Sequence, residues 1–330
     1  MPAPRSYTSP EPIVEIAIGY MAAKQLFAAS RVGLFVALNG GPLTADELAT
    51  ETGVSQRFAR ILADAMAGLG LLKRSEQRYQ LTPAAADYLT GPSAELDLAP
   101  FLTFLNEISY GHWLQFDRTV DTSAPGELAM DEGRWATFMG GVMTYNALHA
   151  KMLVQAFDFG PFRQALDFGG LSSAFSVEAM QVNHELRTTF LFDPRSVDSV
   201  TAALRDAGLD ERSTVIGAAT PDARPEGSFD LVMLNHVVHR FDAAQNAELL
   251  RRARAAAAPG ATLLLLDFFL DDDPQQRSID ALHAGEYFVI DGTVVYPEHE
   301  VRDWLTGAGW SVLDKLALPG SPRVLVAQAV

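Results

Sequence analysis

Two features predict an α/β chain with a doubly wound C-terminal domain behind a mainly helical N-terminal one. From residue 165 onward short apolar runs such as "TTFLFD" and "TLLLLDFF" alternate with helical stretches, whereas before it apolar residues recur almost throughout at helical spacing. With 330 residues and 48% hydrophobic content, the chain can bury more than one core.

The first element predicted is a helix over residues 13–38, closed by the turn signal "NGGP". Thr44 followed by Glu47 forms a capping box that opens a short helix. Gly53 ends it, and Ser55 caps a second one through "QRFARILADAMAGLG". "LLKR" and "RYQLT" flank the polar "SEQ" as a β-hairpin, giving a winged-helix unit. Residues 1–90 hold eight basic and eight acidic side chains, so the unit lacks the basic face a nucleic-acid reader needs and reads as a dimerisation module. Its apolar first helix points to a homodimer. Residues 96–160 read as a helical bridge, which sets expected boundaries at 1–95, 96–160 and 161–330. Strands are expected at "QALDFG", "TTFLFD", "STVIGA", "FDLVMLNHV" and "TLLLLDFF", then a hairpin pair around "WSVLDKLAL" and "RVLVAQAV". Continuous apolar strands suit a parallel sheet covered on both faces, with a ligand at the carboxyl ends of its strands.

Composition excludes several functions. There are no cysteines, so disulfides, zinc–thiolate sites and thiol nucleophiles are absent, and a reducing cytoplasm is the expected compartment. A net charge of -16 opposes nucleic-acid binding. No signal-peptide pattern or apolar run of membrane-spanning length is evident, so no membrane partner is expected. The "DDD" run at Asp271–Asp273 reads as a solvated loop.

The stretch "ALDFGGLSSAFSVEAM", residues 165–180, is a strand-to-helix turn of the kind that receives a nucleotide-bearing cofactor. "LFAASRVGLFVAL", "LTADELA", "HVVHRFD" and "APGATLLLLD" follow one another in order and spacing across nearly the whole chain. Together these strings resemble the S-adenosylmethionine-dependent O-methyltransferases of plant and bacterial small-molecule pathways. The resemblance implies a Rossmann-like class I methyltransferase domain behind a winged-helix dimerisation domain. It carries a cofactor site onto Asp167, Gly169, Gly170 and Asp193, a general base onto His239, and an acidic partner onto Asp267. Trp113, Phe138, Met139, Met143, Asn146, His236, His283 and Tyr287 fall in segments that line the substrate pocket of that family.

The chain departs from the family pattern in three places. Leu171 and Ser173 stand where the DxGxGxG turn has glycines, and a leucine where close backbone approach is needed costs about 1–3 kcal/mol by overpacking alone. Ala218 replaces an acidic residue after the third strand, and Val295 falls where a bracing glutamate is expected. S-adenosylmethionine is therefore doubtful as a cofactor. No metal site is predicted, because no carboxylate is placed by sequence beside His236 and His239. His236 reads as a buried structural residue bonded to backbone or, if the segment is helical, as sharing a face with His239.

Three functions stay open. One is a small-molecule tailoring enzyme that keeps the scaffold and base but performs a cofactor-independent cyclisation, rearrangement or elimination on an aromatic or polyketide-like substrate. Another is O-methylation of a phenolic hydroxyl with His239 as base, and the third is a non-catalytic partner protein.

Overall fold

The computed structural model describes residues 8–220, 222–271 and 276–330. The chain divides into two units, one of Met1–Tyr110 with Met130–Thr144 and the other of Gly111–Ala129 with Tyr145–Val330. The stretch 96–160 contributes to both.

In the first unit the predicted helix over 13–38 is broken. Helix α1 spans Glu11–Arg31 and α2 spans Leu34–Ala37. Gly33, at φ 75°, turns the chain between them in the left-handed region, which a residue without a Cβ adopts at no steric cost. By length and composition α1 is apolar enough to cross a membrane, contrary to the expectation that no run reaches that length. Strand β1 (Leu43–Thr44) leads into α3 (Ala45–Thr52) through the predicted capping box. Thr44 Oγ1 accepts from the Glu47 amide at 3.2 Å, and the Glu47 carboxylate accepts from the Thr44 amide at 2.7 Å. Gly53 ends α3 at φ 72°, and Ser55 caps α4 (Gln56–Gly68). Strands β2 (Leu72–Ser75) and β3 (Arg78–Leu81) complete a small sheet of order β1-β3-β2. Helix α5 (Pro83–Leu89) and α6 (Ala99–Phe104) follow. Leu34, Phe35, Leu48, Leu62, Met66 and Tyr79 form the core beneath these elements.

The second unit contains a seven-stranded sheet of order β6-β5-β4-β7-β8-β10-β9. Its strands are β4 (Gln164–Phe168), β5 (Arg187–Phe192), β6 (Ser213–Gly217), β7 (Phe229–Asn235), β8 (Ala257–Asp267), β9 (Trp310–Ala317) and β10 (Arg323–Ala329). All seven predicted strand segments are present. Strands β6 to β8 pair in parallel, and β10 joins β8 and β9 antiparallel. Alternate residues of one strand enter two different cores. Leu263 and Leu265 pack with Leu166, Val232 and Leu234 on one face, and Leu264 and Leu266 with Ala165, Leu231 and Met233 on the other. With both faces covered, neither set can be polar, which is why "LLLL" runs unbroken. Strand order reverses between β4 and β7, so the carboxyl ends of β4, β5 and β7 meet where a doubly wound sheet places its ligand.

Candidate active site

Five sequence-selected residues of the second unit converge near the carboxyl ends of β7 and β8. Asp267, the last residue of β8, is fully buried. His239 lies in a single helical turn, Val238–Arg240, and its Nδ1 is 2.9 and 3.1 Å from the two Asp267 oxygens. Burial pushes the Asp267 carboxyl up, but the His239 imidazole, its hydrogen bond and His236 outweigh that and hold it below the usual carboxylate range. An ionised Asp267 keeps the His239 proton on Nδ1 and leaves Nε2 as a bare lone pair, the form a general base requires.

His236 differs from both sequence readings. It is not helical, since β7 ends at Asn235 and His236 adopts φ 54°. Nor is its ring bonded to backbone. Its Nε2 lies 2.9 Å from Nδ1 of His149, its Nδ1 lies 3.4 Å from the Tyr287 hydroxyl, and Asp267 Oδ1 is 3.8 Å away. Burial pushes His236 down to about 4, so the ring is neutral at physiological pH. His283, on helix α13 (Ser278–Asp291), stacks on Phe268 at 3.8 Å between ring centroids and holds the Ile279 carbonyl with Nδ1 at 2.7 Å. On the same helix Tyr287 sets its ring 4.5 Å from that of His239.

His236, His239 and Asp267 bring three ligand atoms within 4.8 Å of one another, so the carboxylate that the sequence could not place beside the histidines is present. His239 and Asp267 are also hydrogen-bonded directly to one another.

The remaining pocket candidates divide between the two units. Trp113 donates its indole N–H to Glu286 and packs against Phe116 and Gly285. Asn146 is buried on the long helix α9 (Glu132–Ala156), three residues before His149. Phe138, Met139 and Met143 belong to the first unit, where Phe138 meets Phe104 edge-on. Val295 is buried, and the neighbouring Val294 amide donates to the His239 carbonyl, so no carboxylate braces the base from that loop.

The turn after β4 holds the four cofactor candidates. Asp167 is fully buried, accepts from Ser176 Oγ at 2.6 Å, and is pushed up to about 7 by burial. Gly169 sits at φ 77°, and on the side where a Cβ would project stand Thr220 Cγ2 at 2.9 Å and Val237 Cγ1 at 3.5 Å. Its carbonyl accepts from Arg240 at 2.8 Å. Gly170 has ordinary clearance to the Asn235 carbonyl and Phe192. Asp193, after β5, is held by the Arg195 side chain at 3.0 and 3.3 Å. Leu171 is 38% exposed, so it projects from the turn instead of filling it, while Ser173 is buried at the start of helix α10 (Ala174–Val182). Ala218 packs against the core.

The "DDD" reading needs correction at its first residue. The Asp271 side chain is 6% exposed and ion-paired with Arg323. Asp272 and Asp273 lie outside the described residues.

Sequence reasoning missed His149, Thr220 and the role of Arg240. His149 lies 87 residues from His236 on the predicted helical bridge, and no local pattern links the two. Arg240 directly follows His239, and nothing in "HVVHRFD" marks its contact with the Gly169 carbonyl.

The doubly wound sheet carries a hydrogen-bonded histidine–aspartate pair at the carboxyl ends of its strands. Residues 14–91 match the O-methyltransferase dimerisation domain, and residues 103–311 match the O-methyltransferase domain. The chain belongs to the S-adenosylmethionine-dependent small-molecule O-methyltransferase family. It is 29% identical over 327 residues to 3-hydroxy-5-methyl-1-naphthoate 3-O-methyltransferase of Streptomyces sahachiroi, covering 96% of this chain and 94% of the relative. The solved apo structure of the S-adenosylmethionine-dependent methyltransferase SibL superposes with TM-score 0.84 at 24% identity, covering 97% of this chain and 99% of that one. Human N-acetylserotonin methyltransferase in complex with S-adenosylmethionine superposes with TM-score 0.79 at 21% identity, covering 100% and 99%.

Proposed function

We propose that this protein is a cytoplasmic natural-product tailoring enzyme whose methyltransferase scaffold now carries out a cofactor-independent, acid/base-assisted step on a small aromatic or polyketide-like molecule. One observation carries the reading: the His239–Asp267 pair is intact while the protein's own side chains pack against the glycine turn. Thr220 and Val237 stand on the side of Gly169 where a Cβ would project, Arg240 donates to its carbonyl, and Arg195 pairs with the Asp193 carboxylate. On this reading the turn is closed to S-adenosylmethionine. A guanidinium on the glycine carbonyl also sets a fixed positive charge against a sulfonium ligand.

His239 then acts alone. Its Nε2 accepts a proton from a phenol or an acidic carbon, and the imidazolium that forms is stabilised by Asp267, which costs no reorganisation because the two are already hydrogen-bonded.

A second reading, O-methylation of a hydroxyl, is favoured by the names of the relatives and by Asp167, whose Oδ1 is buried with no partner among the described residues. Calorimetric titration with S-adenosylmethionine and S-adenosylhomocysteine separates the two. We expect no heat at millimolar ligand. Micromolar binding would overturn the cofactor-independent reading and return methyl transfer to first place.

A further inference from the structure

His236 is one of three non-glycine residues with positive φ among the described residues, and it sits at a strand end, not in an exposed turn. That conformation costs about 1–2 kcal/mol and persists only where the surroundings impose it. It places the imidazole between His149, Tyr287 and Asp267.

The positions of the protons follow from charge. Asp267 is ionised, and its Oδ1 lies 3.8 Å from His236 Nδ1, so the negative charge favours the tautomer with the N–H on Nδ1. A neutral ring carries one proton. His236 Nε2 is therefore a bare acceptor, and the 2.9 Å contact requires His149 to donate through its own Nδ1. His149 Nε2, buried with no partner among the described residues, is then a lone pair and not a stranded N–H donor. Tyr287 stands 3.4 Å from the His236 Nδ1–H and must accept from it. A phenol that accepts there cannot point its own O–H at the same nitrogen. No second partner takes that hydroxyl among the described residues, and the ring lies beside His239.

We propose that Tyr287 is a catalytic hydrogen-bond donor to a substrate oxygen, with His149 and His236 as positioning residues that turn its O–H away from the protein. The assignment rests on the acid/base reading above and specifies its substrate class, an enolisable carbonyl compound. His239 Nε2 removes a proton from carbon and the C–H electron pair becomes the C=C bond of an enolate. The carbonyl oxygen, as it gains charge, accepts from Tyr287. Return of the proton from His239 to a different carbon of the conjugated enolate restores the carbonyl and completes a redox-neutral isomerisation that needs no co-reactant. Burial holds the Tyr287 hydroxyl well above its ordinary value, so it stays protonated throughout.

Two measurements on the full-length protein test this. Two-bond proton–nitrogen spectra of histidine-labelled protein at pH 7, assigned with His149→Phe and His236→Asn, are expected to show both rings protonated on Nδ1. An Nε2–H tautomer or a doubly protonated ring at His236 would overturn the proposal, because Tyr287 would then lack a proton to offer or the chain would run the other way. This spectrum is independent of whether S-adenosylmethionine binds, so its failure and that of the functional reading are separable. The second uses 4-nitrophenolate as an oxyanion probe. Tyr287→Phe should weaken its binding about tenfold, as expected for one hydrogen bond to a charged oxygen. Equal binding by the two proteins, or none by the wild type, would count against the donor.

Discussion

Asp167 has one oxygen on Ser176 and the other without a partner among the described residues. Burial raises its carboxyl to about 7, above the ~3.9 of an unfolded aspartate. The folded state therefore binds this proton more tightly than the unfolded chain. Its stabilising contribution is complete below about pH 4 and is lost as pH rises through about 7. Asp167→Asn keeps an acceptor for Ser176 and removes the buried charge, so we expect it to be more stable than the wild type above pH 7, on the order of a few kcal/mol. Denaturant unfolding at pH 5 and pH 8 checks this, and a variant that is less stable at pH 8 would show the ionised carboxylate to be compensated. At this scale the sequence brought His239 and Asp267 forward as candidates because their residue types at successive strand ends have few structural uses together, and the structure joins the two by a hydrogen bond. His149 could not be reached this way, since nothing in a lone helical histidine reveals a partner 87 positions away.

Two short connections meet at the glycine turn. The turn Val238–Arg240 delivers His239 to Asp267 and Arg240 to the Gly169 carbonyl, while the loop after β6 brings Thr220 against the same glycine. The proposed base and the contacts on Gly169 thus come partly from one element. If these side chains close the site, Arg240→Ala combined with Thr220→Gly should raise S-adenosylmethionine affinity at least about tenfold, corresponding to ~1.4 kcal/mol. Calorimetry on the double variant reads this, and unchanged affinity would shift the cause to Leu171 or Asp193. Motif comparison points to Leu171, whose side chain is partly exposed, whereas Thr220 packs directly against Gly169. A motif records which residues are present, and loop packing sets which of them lie against the turn. The capping box at Thr44 was legible because both partners lie within one turn.

Across the whole molecule, α1 leaves Ile13, Val14, Ile16 and Ile18 exposed within a region matching a dimerisation domain. An apolar surface of this kind on a lone subunit is a surface for a second copy. We expect a homodimer by sedimentation. Ile13→Glu with Ile16→Glu should yield monomer without unfolding, because both side chains are solvent-exposed in the subunit. A dimer that survives both substitutions would place the contact elsewhere.

The sequence by itself determined the strand and helix segments of both units, because these depend on local periodicity and capping, and it brought forward His239 and Asp267 as a candidate base and acidic partner through their residue chemistry. It also showed Leu171 and Ser173 standing in the glycine turn. Only the tertiary structure decided that His236 leaves the strand in a left-handed conformation to meet His149 and Tyr287, and that Thr220 and Arg240 pack against Gly169. Those contacts join segments tens of residues apart, and their geometry is set by how β7, α9 and α13 pack, which no local pattern encodes.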